Sequence, residues 1–506
     1  MIENRKGGTR IKMERKRNRF APIPAWLEIG PAVTAALAEL LFALLVLAQS
    51  AGGTVFYRVT TKQTVDGVAH TYYHTESMQI GTTLLIGVSV LAGVTVLLAI
   101  ASRIRELWIM RFLLPANLLL FCGIIAQAFL RPQGLAKHLL TILVGLFAGI
   151  IAVFLIHLPA NDRYFRRVCW FLIALSVGSA IYGSFFTTNG SGAWLLGFQP
   201  GEFFKLAILI LGIWGFESLR TDHLCLLLYI LTGIFIVSNL LIVNDWGNGA
   251  IVCALMIVLL FALGHPWYAV LMTGSAIAGV LEGYALLTKF APNLALTQKL
   301  TARFSQALFY PLTHWTESSS NQNIRQALLA LVRGGLVGTG TASSDALYAA
   351  NTYAAYTDFV FPCAISIFGI GFGVVVIIAI FVLVRNASPA PRETGTAHFR
   401  LYMGSILGSY FLIQGIVNVF GSLSLIPLTG VTLPFVSAGG SSMVVSFMAL
   451  GCMVGLNLPR EIRNRIQKVC RDMTKALSAL IPSHGVRGRN THTIHPRLEM
   501  RQKGGH

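Results

Sequence analysis

Stretches of about 20 apolar residues, the length that carries a helix across the hydrocarbon core of a bilayer, recur along this chain from end to end. By that length there are about twelve, near 30–51, 79–101, 109–130, 137–158, 168–186, 201–217, 224–243, 246–264, 266–288, 359–384, 401–420 and 441–457. Composition agrees: of 506 residues, 55% are hydrophobic and only 12% charged, too sparse a charge for a soluble surface. The expected fold is an all-α polytopic membrane protein, and an even number of spans places both termini on one side.

The net charge of +19 does not point to nucleic acid, because the positive residues concentrate in the two tails and in short connectors between apolar runs. Arg103, Arg105 and Arg111, then Arg163, Arg166 and Arg167, then Arg220, then Arg385, Arg392 and Arg400 fall in alternate connectors, on the same side as the tails. Positive connectors mark the cytoplasmic face. The long segment 289–358 is therefore predicted to be extracytoplasmic, with Asp358 at the outer membrane surface. The basic arm "MIENRKGGTRIKMERKRNRF" is attracted to anionic membrane lipids and stays inside. With the apolar run that follows, it is long for a cleaved signal peptide.

Seven cysteines lie mostly within apolar runs, form no CxxC pair and are odd in number, so neither a disulfide framework nor a metal site is indicated. His492 and His495 have helix-face spacing but lie in a polar tail. In the outward loop, "IRQALLALV" predicts a short amphipathic helix. The glycine run Gly334–Gly340 fits either a phosphate cradle built from backbone N–H groups or a set of ordinary tight turns.

The ordered stretches "GAWLLGFQPGEFFKLAIL", "NDWGNGAIV", "RQALLALVRGGLVGTG", "TDFVF" and "IPLTGVTLPFVSAGGSS" resemble the SEDS family of FtsW, RodA and SpoVE, in the same order along the chain. The resemblance runs from Trp194 to the last span. It divides the chain into a basic arm 1–29, N-terminal transmembrane helices 30–186, a SEDS-like core 187–458 that includes the loop 289–358, and a basic tail 459–506. It implies a peptidoglycan glycosyltransferase that polymerises lipid II, an undecaprenyl pyrophosphate disaccharide-peptide, on the outer face of the cytoplasmic membrane during division, elongation or sporulation. Family members usually have ten spans, so twelve implies an extra pair before "GAWLLGFQP".

Joining two sugars requires removal of a proton from the acceptor hydroxyl as the lipid pyrophosphate leaves, and a carboxylate can take that proton. Asp358 matches the aspartate of the family's "HTDF" motif and is the expected catalytic base; on residue type alone, a helix N-cap is the competing role. The pyrophosphate should meet positive charge. The candidates are Lys205, in "QPGEFFK", with Arg303 and Arg333 at positions where the family often carries arginine, and Arg325 with weaker support. Lys205 has the alternative of pairing with Glu202 at i, i+3. Gln199, Glu202, Asp245, Gln326, Thr357, Ser441 and Ser442 stand on matched motif positions and complete the expected substrate-binding set. Pro427, Pro434, Gly439 and Gly440 predict a broken, re-entrant segment that must be buried in protein or line a cavity.

The chain departs from the family at Tyr356, which replaces histidine, at Tyr353 and Ala354, which replace Pro-Glu, at Ser366 and Ile367, which replace Glu-Glu, and at Ala438, which replaces tyrosine. A divalent cation such as Mg²⁺ or Mn²⁺ can bridge a pyrophosphate, although no dedicated cage is visible in the sequence. The resemblance also implies a class B penicillin-binding protein, a transpeptidase, as partner. Two other functions fit an apolar bundle of this kind: a flippase or transporter for the lipid-linked precursor, with Glu202, Lys205 and Asp245 lining its path, or a noncatalytic scaffold.

Overall fold

The computed structural model describes residues 25–49, 54–65, 68–104, 110–158, 162–186, 198–290, 298, 301, 319–341, 343–352, 354–387, 397–458 and 460–480. The first half runs α1 (Ala25–Gln49), β1 (Thr54–Val65), β2 (Val68–Gln79), α2 (Gly81–Ile104), α3 (Met110–Leu130), α4 (Leu135–Leu155), α5 (Asp162–Phe186), α6 (Pro200–Trp214), α7 (Phe216–Thr221), α8 (His223–Ile242), α9 (Trp246–Ala262) and α10 (Pro266–Phe290). It continues with α11 (Ser319–Gly334), α12 (Ser344–Ala350), α13 (Val360–Phe368), α14 (Ile370–Asn386), α15 (Ala397–Ser422), α16 (Gly440–Leu456) and α17 (Arg460–Leu480).

Among the described residues, helix covers most of each expected apolar segment, as a bilayer demands of a backbone that must satisfy its own hydrogen bonds. Among the described residues, Arg111–Leu130, Pro132–Leu155, Asp162–Gly183, His223–Ile242 and Met403–Ser422 are each long and apolar enough to cross a membrane. The chain is a polytopic helical membrane protein.

Two expectations need correction. The fold is not all-α: β1 and β2 pair antiparallel, from Thr54 opposite Gln79 to Val65 opposite Val68. The strands are rich in β-branched and aromatic residues, and an Asp-Gly dipeptide separates them in sequence, a strong hairpin signal. Nor is 359–384 one span. Gly369 interrupts it at φ +84° and ψ 171°, a conformation open essentially to glycine alone. The nine-residue α13 folds back on α14, so that a Cβ at Gly373 would meet Ile365 and Phe361.

The glycine run holds this break. Thr339 N–H donates to the Ser366 carbonyl (2.9 Å), Gly340 N–H to Ile367 (3.1 Å) and Ile370 N–H to Gly335 (3.2 Å). Its amides are engaged with the end of α13, which favours the tight-turn reading over a phosphate cradle.

Hydrogen bonds at the helix ends sort the bundle into two faces. At one, Arg111 donates to Asn457 Oδ1 (3.1 Å), Asn386 to the Arg111 carbonyl (2.7 Å) and Ser218 to Asp162 (2.5 Å), while His157 meets the Gly455 carbonyl and His265 that of Leu219. At the other lie the end of α3, the starts of α6, α9 and α16, and the end of α15. Small residues set the closest approach between helices: Gly149 of α4 and Gly451 of α16 leave no room for a Cβ on either. Gly145, one turn earlier on α4, likewise leaves no room for a Cβ beside the Phe447 ring.

Between α15 and α16, residues 425–439 form the expected non-helical segment. Val431, Leu433, Phe435 and Val436 are all buried in it. Phe435 holds a left-handed φ of +63°, a strain of about 1–3 kcal/mol. Its ring stacks on Phe411 (5.5 Å) and meets the edge of Phe447 (5.3 Å). Two such pairs at about 0.5–1.5 kcal/mol each offset a strain of that size.

Candidate functional site

The site is built on the non-helical segment and on the turn 354–359 facing it. Amide side chains in the surrounding spans satisfy the backbone of both. Gln127 of α3 donates to the carbonyls of Tyr356 (3.0 Å) and Val436 (3.1 Å). Asn418 of α15 donates to those of Asp358 (3.1 Å) and Val431 (2.7 Å). Ser437 Oγ donates to the Thr357 carbonyl (2.6 Å), and Ala438 N–H to that of Tyr356 (2.9 Å). The turn and the broken segment are thus one hydrogen-bonded unit.

Asp358 sits in this turn, outside the helices and half-buried. It does not cap α13: the N-cap is Phe359, and no side chain fills that role. Its Oδ2 lies 3.4 Å from where a Cβ would stand on Gly430, itself at φ +68°. Burial pushes the carboxyl up to about 6, against a hydrogen bond from the Thr357 side chain that pulls it down. Such a carboxyl is more basic than that of an ordinary aspartate. Thr357 is thereby placed as a neighbour of the candidate base.

Among the described residues, the expected cations do not converge on Asp358. Lys205 is not interfacial but sealed, 0% exposed. It pairs with Glu202 (2.8 Å; 2% exposed), donates to Gln414 Oε1 (3.0 Å) and lies over the Tyr410 ring. Its position inside the first turns of α6, facing α15, forces this arrangement. Arg333 pairs with Asp345 (3.1 Å) and stacks on Tyr348, with the two charged side chains 45% and 41% exposed. Gln326 is half-buried and Arg325 exposed on α11, and Arg303 lies outside the described residues.

The remaining expected residues form a buried network at the same face. Asp245 begins α9 without capping it. Its Oδ2 accepts from Gln199 (3.1 Å) and Asn248 (3.0 Å). Ser441 accepts from the Gln199 N–H (3.1 Å). Ser442 accepts from Gln414 (3.0 Å) and Thr432 (2.6 Å), and so links the network to Lys205. These groups hold the mouths of α6, α9 and α16 around the broken segment.

Sequence reasoning missed Gln414 and Asn418, although two amides at i, i+4 in an apolar span are a readable signal. It also missed Arg131, at the end of α3. That guanidinium lies 4.3 Å from the centroid of Tyr356 and makes no ion pair or hydrogen bond among the described residues.

Fold and site together define a multi-pass membrane protein with a basic carboxylate presented at one face over a broken, buried segment. The chain belongs to the FtsW/RodA/SpoVE family of cell cycle proteins, which it matches over residues 133–461. Its relatives include the probable peptidoglycan glycosyltransferase FtsW of Thiomicrospira cyclica, 26% identical over 332 residues covering 62% of this chain and 79% of that protein. The protein of the same name from Taylorella equigenitalis is 29% identical over 358 residues, 66% of this chain and 90% of that one. A solved chain from work on how a peptidoglycan synthase complex coordinates polymerization and crosslinking shares the fold, with a TM-score of 0.50 at 20% identity over 68% of this chain and 96% of that one. The elements α1 to α3, with the hairpin, precede the matched region.

Proposed function

We propose that the chain is a peptidoglycan glycosyltransferase that polymerises lipid II at the face carrying Asp358, on the outer side of the bacterial cytoplasmic membrane. The observation that supports this most is the Asp358 carboxylate itself: half-buried, employed in no cap, and held against the broken segment in a chain whose relatives bear that activity in their names. The carboxylate takes the proton of the acceptor sugar's hydroxyl. The hydroxyl oxygen then bonds to the donor's anomeric carbon as the lipid pyrophosphate departs with the bonding electrons. Arg131, beside the turn, is our candidate to meet that pyrophosphate, since Lys205 is sealed and Arg333 is paired.

The test is glycan chain formation from labelled lipid II by the purified protein. Chains support the reading; translocated lipid without chains would make the protein a transporter, and neither product would make it a scaffold. Because the base must be ionised, the rate should rise with pH through an apparent pKa near 6 and level above it. A rate independent of pH between 5 and 7 would remove Asp358 as the base. Arg131→Ala should raise the KM for lipid II, and an unchanged KM would exclude that contact.

Orientation rests on the opposite face, where Arg111, Arg163, Arg166, Arg167, Arg220 and Arg385 collect, as expected of a cytoplasmic side. With α1 and α2 as the extra pair of twelve spans, both termini are cytoplasmic. A reporter after Lys289 should read outside and one after Arg392 inside; both reading inside would defeat this topology. A divalent cation such as Mg²⁺ or Mn²⁺ would draw most of its ligands from the pyrophosphate and water. Among the described residues no three His, Cys, Asp or Glu side chains are grouped to hold one, and no step here is routed through it. A class B penicillin-binding protein is the proposed partner, to be recovered by crosslinking in membranes; its absence from crosslinks that capture other native complexes would count against it.

A further inference from the structure

A cavity of about 700 Å³ within the membrane region plays no part in the chemistry above. It lies between α1, α3 and α14, and its lining is apolar and aromatic, with Phe42, Phe121, Phe368 and Phe372 among its walls. Phe42 meets Phe121 edge to face at 6.0 Å, and Phe368 stacks on Phe372 at 5.3 Å. Among the described lining residues there is one carboxyl group, Glu39, near the middle of α1 and 4% exposed.

Glu39 is held from behind. Its Oε1 accepts from Asn117 Nδ2 (2.7 Å), and Asn117 Oδ1 accepts from Thr95 Oγ1 (2.7 Å), which ties α1, α3 and α2 together. One oxygen suffices for that tie. The other, Oε2, is buried without a hydrogen-bond partner. A buried polar atom left unmet is unfavourable, and most such atoms in folded proteins find a partner.

We propose that this cavity binds a membrane-dissolved lipid with an apolar, chain-like or isoprenoid body and a neutral hydroxyl or carbonyl group, which Glu39 Oε2 meets. The cavity volume lies in the range of small-ligand pockets. Its described walls carry no second charge, so a cationic ligand would leave a buried ion pair without further support. A neutral hydroxyl or carbonyl avoids that penalty, and the carboxyl can serve as donor or acceptor to it. A partner's transmembrane helix would lie across the groove and reach this recessed oxygen only through a long side chain. The site is formed largely by helices that precede the family match, and it does not depend on the glycosyltransferase reading.

The experiment uses the full chain in phospholipid nanodiscs with two diazirine probes, hexadecanol and the matching hexadecane, read by mass spectrometry of the α3 and α14 peptides. The alcohol should label wild-type protein at least ten-fold more than the alkane, and Glu39→Leu should erase that preference. Gly371 also lines the cavity, and a Cβ there meets nothing within 4 Å. Gly371→Phe should therefore fill the space and abolish labelling by both probes. Equal labelling of wild type by alcohol and alkane, or a preference that survives Glu39→Leu, overturns the proposal. So does a co-purifying protein's helix crosslinked into the cavity. If Glu39→Leu fails to fold, Gly371→Phe decides alone: alcohol labelling that survives the plug overturns the site.

Discussion

Asp358→Asn is expected to reduce glycan chain formation from lipid II by about 10²-fold or more, the scale of removing a general base, with expression and folding close to wild type. The substitution keeps the side chain's shape but removes the basic carboxylate. It breaks no cap, because Asp358 fills none. The main-chain carbonyl held by Asn418 is untouched. The measurement compares matched amounts of folded protein, with any partner that activity requires present. Near-wild-type turnover by the Asn variant would take Asp358 out of the reaction.

The largest effect on stability is expected at Lys205. Its ammonium and the Glu202 carboxylate are almost wholly excluded from solvent at 2.8 Å. Lys205→Met leaves that carboxylate buried and uncompensated, which costs about 3–5 kcal/mol in such settings. The double variant Glu202→Gln with Lys205→Met removes both charges and should recover most of the loss. Thermal unfolding in detergent, followed by the fraction that stays monodisperse, distinguishes the three proteins. A single variant as stable as wild type would show that burying this pair leaves no uncompensated charge behind when Lys205 is removed.

The helical bundle was legible in the sequence because a spanning helix must be both long and apolar, two properties that need no knowledge of neighbours. Asp358 could be named as a candidate from its motif alone. What the sequence concealed depended on contacts distant in the chain. The 359–384 run reads as one span by hydropathy, and only the left-handed Gly369 with the 334–340 loop docked beside it reveals the break. Lys205 reads as a candidate pyrophosphate ligand by its motif, yet Gln414, more than two hundred residues away, closes over it. The hairpin is a different case, since the alternation of its strands and the Asp-Gly between them were there to be read.

The fold-back of α13 also bears on how the protein meets bilayers of different thickness. Spanning helices relieve hydrophobic mismatch mainly by tilting. Asp358 rides on no spanning helix: α14 begins beyond Gly369, so its tilt is taken up at that glycine, while α13 stays tied at its far end to the 334–340 loop. Asn418 grips the carbonyls of Asp358 and Val431 together. The carboxylate and the segment opposite it are therefore expected to shift together, following α15, which carries Asn418, rather than α14.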